Sequence, residues 1–145
     1  MKVSTIGFTQ KSAKRFFELV MASGAKRIVD VRLNNVSQLA GFAKKQDLIY
    51  FLDSIARIEY VHLPSLAPTQ EMLDEYRKDG RDWDKYEERF LSLMAYRKVE
   101  VTTPREMIDQ GCLLCSEHDS RYCHRRLVAE YLRRHWGPFD IEHLK

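Results

Sequence analysis

At 145 residues the chain is long enough for one domain with a real core and too short for two comfortable ones. Its 44% hydrophobic and 31% charged residues fit a soluble globular protein, and no apolar run approaches bilayer-spanning length. The net charge of +3 is too mild to define a partner by itself.

The opening MKVSTIGF passes from one lysine into a strand-like segment and lacks the apolar stretch of a signal peptide. Val3–Phe8 is rich in β-branched residues and reads as a buried strand. From Lys11 to Ser23, Phe16, Phe17 and Val20 fall at helical spacing, and Gly24 supplies the stop. Arg27–Arg32 reads as a second strand. Asp47–Ala56 reads as a helix with Leu48, Phe51, Leu52 and Ile55 inward. Ile58–Leu63 alternates as a third strand that Pro64 ends.

The middle departs from this alternation. Thr69–Lys78 reads as a short helix, and Asp82–Arg97 as a longer one with Trp83, Tyr86, Phe90 and Met94 on one stripe. Thr103–Gly111 has a capping threonine, a proline at the first helical position and a terminal glycine. CLLCS then reads as a fourth strand, Ser120–His135 as a helix and Phe139–Leu144 as a last strand. Strands and helices joined by short links predict parallel βαβ units. The expected fold class is a single α/β domain over residues 1–145. It is a three-layer, Rossmann-like sandwich of about five mostly parallel strands with helices on both faces.

In such sheets ligands bind beyond the carboxyl ends of the strands, where strand order reverses. The residues at those ends are Gly7 and Thr9, Asp30 and Arg32, His62, and Cys115 with Glu117. All are polar, thiol-bearing or glycine, a coincidence that makes a pocket the working expectation. TIGFTQKS has one glycine and no dinucleotide fingerprint, and no Walker sequence is present, so no cofactor is assigned. Phe42, Tyr60 and Tyr76 are aromatic residues able to stack on a ring, although aromatics more often pack a core.

TIGFT, DVRLNNVS, GFA, YVHLPSLAPT, LLCSE and CHRRLVAEYL, in that order, resemble the domain of unknown function 488 family of bacterial and archaeal proteins. The resemblance implies an α/β domain and brings no established activity with it. The family's recurring positions fall here on Gly7, Asp30, Arg32, Ser37, Phe42, Tyr60, Cys115, Glu117, Cys123, His124 and Arg125. Phe8 and Thr9 stand where many members have histidine and serine, so acid–base work at position 8 is absent here. Asn35 and the stretch Leu66–Thr69 also depart from the family pattern, and Cys112 is not part of it.

All three cysteines lie in CLLCSEHDSRYCHRR, residues 112–126, which does not fit a secreted disulfide framework and points to a reducing, cytoplasmic setting. Cys112 and Cys115 are an odd number of residues apart on a strand, so their thiols face opposite sides of the sheet. A zinc knuckle through Cys112 is therefore not expected, and Cys112 reads as a buried small hydrophobe. Cys115 and Glu117 share a face at the strand end. Cys123 stands near a helix start, with Asp119 or Ser120 expected as the N-cap, and free amides there favour a thiolate. His124 lies on the helix stripe with Leu127, Val128 and Tyr131, consistent with a helix-to-sheet contact.

Two functional readings follow, with a third left open. In the first, the chain acts on an anionic, phosphorylated or nucleotide-like ligand. Cys115, Glu117 and Cys123 carry the chemistry, while Gly7, Thr9, Asp30, Arg32, Phe42, His62, His124 and Arg125 line or support the ligand site. In the second, the chain is a non-catalytic nucleic-acid or partner-binding module. It uses the run from Arg121 to His135, which holds five arginines, and the cysteine motif is a brace. No metal is assigned, and a metal held by Cys115, Cys123 and Glu117 or a histidine stays open.

Overall fold

The computed structural model describes residues 1–35 and 41–145; the family position Ser37 lies outside them. Five strands form one parallel sheet: β1 (Lys2–Gly7), β2 (Arg27–Asp30), β3 (Glu59–His62), β4 (Gly111–Cys115) and β5 (Asp140–His143). Their spatial order is β3-β2-β4-β1-β5, and every pairing is parallel. The chain is thus Rossmann-like in layering, with β4 inserted between β1 and β2.

The helices follow from the connections. α1 (Ala13–Ser23) joins β1 to β2, and α2 (Lys45–Phe51) joins β2 to β3, both steps running toward one sheet edge. Direction then reverses. α3 (Gln70–Lys78), α4 (Trp83–Arg97), α5 (Val99–Thr102) and α6 (Arg105–Ile108) lead back to β4, and α7 (His124–Trp136) leads on to β5. Right-handed crossovers put α1 and α2 on one face and the later helices on the other.

Two core clusters agree with that division. Phe16, Phe17, Val20, Leu48 and Leu52 pack with Ile6, Ile28, Cys112 and Leu114 on one face. Phe90, Met94, Leu127, Val128 and Leu132 pack with Val3, Val29, Leu113 and Cys115 on the other. The strand period of two sends Cys112 and Cys115 to opposite faces. Cys112 is fully enclosed, and burial pushes its thiol up to about 12.

Four local details differ from the sequence expectation, each for a physical reason. The helix after β2 widens into a π-helical segment at Leu52–Ala56, which shifts its facing. Phe51 and Ile55, expected inward, are therefore exposed. The helix expected over Thr103–Gly111 shrinks to α6: Thr103 is extended and ends α5, Pro104 is the N-cap of α6 rather than its first residue, and the extended Asp109 ends it before Gly111 enters β4. The last helix begins at His124 rather than Ser120, with Cys123 as its N-cap. Asp119, a candidate cap, instead accepts from the Arg121 amide at 2.9 Å. Among the described residues no helix is long and apolar enough to cross a membrane.

Candidate functional site

The carboxyl end of β2 builds a rigid cationic fork. Asp30 accepts from Arg32 Nε and Nη2, both at 2.8 Å, and from the Arg32 backbone amide at 3.1 Å. Tyr60 Oη donates at 2.5 Å to Asp30 Oδ2, the oxygen that also accepts from Arg32 Nη2, and Asn35 Nδ2 donates to Tyr60 Oη at 3.2 Å. His62 Nε2 donates to the Arg32 carbonyl at 2.8 Å. The Phe8 ring lies 5.4 Å from the guanidinium carbon. Burial works against the charge of Arg32, but the bonds and charge of Asp30 outweigh it and hold the group above its ordinary range. Arg32 is only 3% exposed, yet its Nη1 has no hydrogen-bond partner among the described residues. A buried guanidinium N–H without an acceptor is costly, and Asp30 already occupies the other edge of the fork.

The end of β4 and the start of α7 bring sulfur beside that fork. His124 Nε2 donates to the Val31 carbonyl at 2.7 Å, which orients the ring and leaves Nδ1 as its other nitrogen. Nδ1 faces Cys115 Sγ at 3.5 Å. The sulfurs of Cys115 and Cys123 and the His124 ring nitrogen all lie within 4.8 Å of one another. Cys123 is the N-cap of α7 but makes no capping bond, so its side chain is spent here and not on the helix amides. Hydrogen bonding to Cys123, followed by burial, pushes Cys115 well above the usual thiol range. Burial raises Cys123 too, but the Cys115 bond, His124 and the Arg125 charge outweigh it and bring Cys123 well below that range.

These groups form the floor of a cleft of about 330 Å³, shared by Arg32, Cys115, Glu117, Cys123 and His124. The rule for open α/β sheets accounts for its place: β2 and β4 are neighbours whose exits run to opposite faces. Its far wall comes from α3, α4 and the loop before α7, through Tyr76, Arg77, Arg81, Trp83, Tyr86 and Tyr122. Trp83 stacks on Tyr86 at 5.2 Å and meets Tyr122 edge-on at 5.7 Å. Arg81 lies over Tyr76. Of this wall only Tyr76 is expected from the sequence as a ring able to stack on a ligand, while Trp83 and Tyr86 are expected on a helix stripe. The sequence signal for the wall is YRKDGRDW, a glycine turn that places aromatic and basic residues on either side. A larger depression of about 700 Å³ runs along edge strand β3, but its walls pair Arg27 with Glu59 and, among the described residues, hold no thiol or imidazole.

Apart from Glu117, the other expected site residues make contacts within the fold. Arg125 is fully buried, and its guanidinium donates to Thr5 Oγ1 and to the carbonyls of Glu117 and His118 at 3.2, 2.5 and 3.2 Å. It braces the loop after β4 from within. Thr9 joins the same loop through Oγ1 and N, both bonded to the Ser116 carbonyl. Gly7 lets that loop approach: a Cβ there would lie 1.5 Å from the Glu117 carbonyl oxygen. With residues 116–118 held this way, they cannot extend α7 backward. Phe42 packs against Phe16 and Phe17 over the opposite face of the sheet. Glu117 is exposed at the cleft rim.

The arginine run is likewise divided. Arg125 is internal, and Arg126 pairs with Glu130 at 2.7 Å. Arg121, Arg133 and Arg134 remain exposed.

A five-stranded parallel sheet flanked by helices is that of the Rossmann-like α/β proteins. Residues 12–132 match the family described as Domain of unknown function DUF488, and the chain belongs to that family. Neither the curated proteins nor the solved structures searched gave a match.

Proposed function

We propose that the chain binds an anionic small molecule, phosphorylated or nucleotide-like, in the cleft beyond β2 and β4, and acts on it there. The observation that carries this reading is Arg32, a buried cation whose Nη1 lacks a partner among the described residues while the rest of its fork is fixed by Asp30. An anionic oxygen supplies the missing acceptor with a charge-assisted bond. Arg77 and Arg81 add positive charge on the opposite wall, beside rings suited to a planar group. Cys115, Cys123 and His124 stand at the reacting end, with Glu117 at the rim as the acid–base group.

The test is calorimetric titration with inorganic phosphate and adenosine monophosphate, at fixed ionic strength. Arg32→Lys keeps the charge and one bond to Asp30 but removes the Nη1 donor. It is expected to weaken binding about tenfold or more, the worth of one hydrogen bond to a charged group. Equal affinity of a folded Arg32→Lys protein would overturn the reading.

A further inference from the structure

We propose that Cys115, Cys123 and His124 form a site for one zinc-like divalent ion, with a fourth coordination position open to the cleft. The inference rests on the cleft reading for what fills that fourth position, but not for the metal itself.

The donor set comes first. Two thiols and an imidazole nitrogen converge within 4.8 Å. On a tetrahedral zinc ion, sulfur and nitrogen ligands stand about 3.5 Å apart. Cys115 Sγ and His124 Nδ1 already have that spacing, 3.5 Å. Sulfur with imidazole suits zinc or cobalt and not magnesium or calcium, which take oxygen.

The surroundings point the same way. A metal-binding histidine commonly donates its other ring N–H to a carbonyl, which orients the ring and fixes the tautomer. His124 does this through Nε2 to the Val31 carbonyl. The Phe90 ring lies 5.4 Å from the imidazole and shields its outer side. Cys123 forgoes the cap bond that serine or aspartate makes at an N-cap, and its sulfur joins the group instead.

Charge and geometry define the open position. Bound as thiolates, the two sulfurs neutralise the ion, and any proton a thiol still carries is released to water on binding. Three protein ligands are the pattern of sites that retain an exchangeable position. Arg32 lines the same cleft with an Nη1 that has no partner among the described residues; Asp30 balances its charge, so it offers that position a hydrogen-bond donor. An anionic oxygen can therefore bind the metal and Arg32 together, a two-point attachment for a phosphate or carboxylate.

The full chain, purified without a polyhistidine tag and stripped with chelator under reducing conditions, is titrated with Co2+. One equivalent should produce thiolate-to-cobalt charge transfer and intense tetrahedral absorption, both displaced by Zn2+. Cys115→Ser and Cys123→Ser should each remove the charge-transfer band or weaken binding at least about tenfold. Cys112→Ala, on the opposite face, should leave the spectrum intact. Weak, octahedral-type absorption from the folded wild-type protein overturns the metal site whatever the variants do, as does an unchanged spectrum in a folded Cys115→Ser protein. Inorganic phosphate added to the cobalt form should shift the tetrahedral bands, and Arg32→Lys should reduce that shift at unchanged metal stoichiometry. Cobalt binding without a phosphate response keeps the metal and overturns the open anion position. Phosphate binding without cobalt binding keeps the cleft reading and overturns the metal.

Discussion

His124 reaches from the first turn of α7 to the Val31 carbonyl just beyond β2, at 2.7 Å, and so ties the two halves of the cleft floor together. Val31 is fully buried, so this carbonyl has no access to bulk water. Removing the imidazole leaves it unsatisfied and opens space beside Phe90. His124→Ala is expected to cost about 2–3 kcal/mol, the penalty for an orphaned buried acceptor, read by urea denaturation of the chelator-treated protein. His124→Gln can still donate to that carbonyl and should recover about half of the loss. An alanine variant as stable as wild type would show that the bond is structurally idle.

Arg125 is a brace in this structure, so its loss should loosen one loop before it affects any chemistry. Its three bonds to Thr5, Glu117 and His118 need a planar fork, which lysine lacks. Arg125→Lys should cost about 1–3 kcal/mol, the penalty for orphaned buried acceptors. Amide hydrogen exchange should quicken at residues 116–122 more than in β1 or β2. Uniform acceleration across the chain would argue against a local brace.

Gly7 tests the same brace from the other side. The Cβ of Gly7→Ala would overlap the Glu117 carbonyl, so the loop must move or β1 must give way. Overpacking of this kind costs about 1–3 kcal/mol and here displaces the residues leading to Cys123. The expected result is a folded, less stable protein with weaker phosphate binding. Unchanged stability and binding would mean that the loop after β4 has room the structure does not show.

The parallel sheet was legible because buried β-branched runs alternated with amphipathic stretches, and the opposite facing of Cys112 and Cys115 followed from strand periodicity alone. Cys115, Cys123 and Arg32 could be placed near one another because the strand-end rule acts on topology. The roles of the charged side chains were not legible. Arg32 and Arg125 look alike in sequence, yet the fork of Arg32 is filled on one edge by Asp30, while three internal acceptors consume Arg125. Which acceptors a guanidinium finds depends on a loop path set by Gly7 and Thr9. The aromatic wall was obscure for a similar reason: Trp83 and Tyr86 fit a helix stripe equally well whether that stripe meets core or cleft.

The exposed arginines at the end of α7 supply the test of the nucleic-acid reading. With Arg125 internal and Arg126 paired to Glu130, only Arg121, Arg133 and Arg134 of the run remain exposed. Each phosphate contact contributes about one unit to the slope of log affinity against log salt. A binding module that uses all three should therefore show a slope of about 3 or less with duplex DNA. The double variant Arg133→Ala, Arg134→Ala should reduce nonspecific DNA retention on filters and leave phosphate affinity in the cleft unchanged. A tight, steeply salt-dependent complex lost in the double variant would favour the helix as the functional surface.

Cys112 gives a pH dependence whose sign can be worked out from one enclosed thiol. Burial raises its value in the folded chain from 9.0 to about 12, so the folded state holds the proton where the unfolded chain releases it. The neutral thiol's contribution is therefore complete below about pH 9 and is lost as pH rises toward 12. Tyr60 and Tyr86 are shifted in the same direction, so the absolute slope mixes several groups. The difference between wild type and Cys112→Ala isolates the thiol. Alanine should be less stable at pH 7, because it leaves a small cavity against Leu114 and Ile6. That deficit should shrink as pH is raised through 9 in urea titrations. Parallel pH profiles for the two proteins would show that Cys112 ionises in the folded state as readily as in the unfolded one.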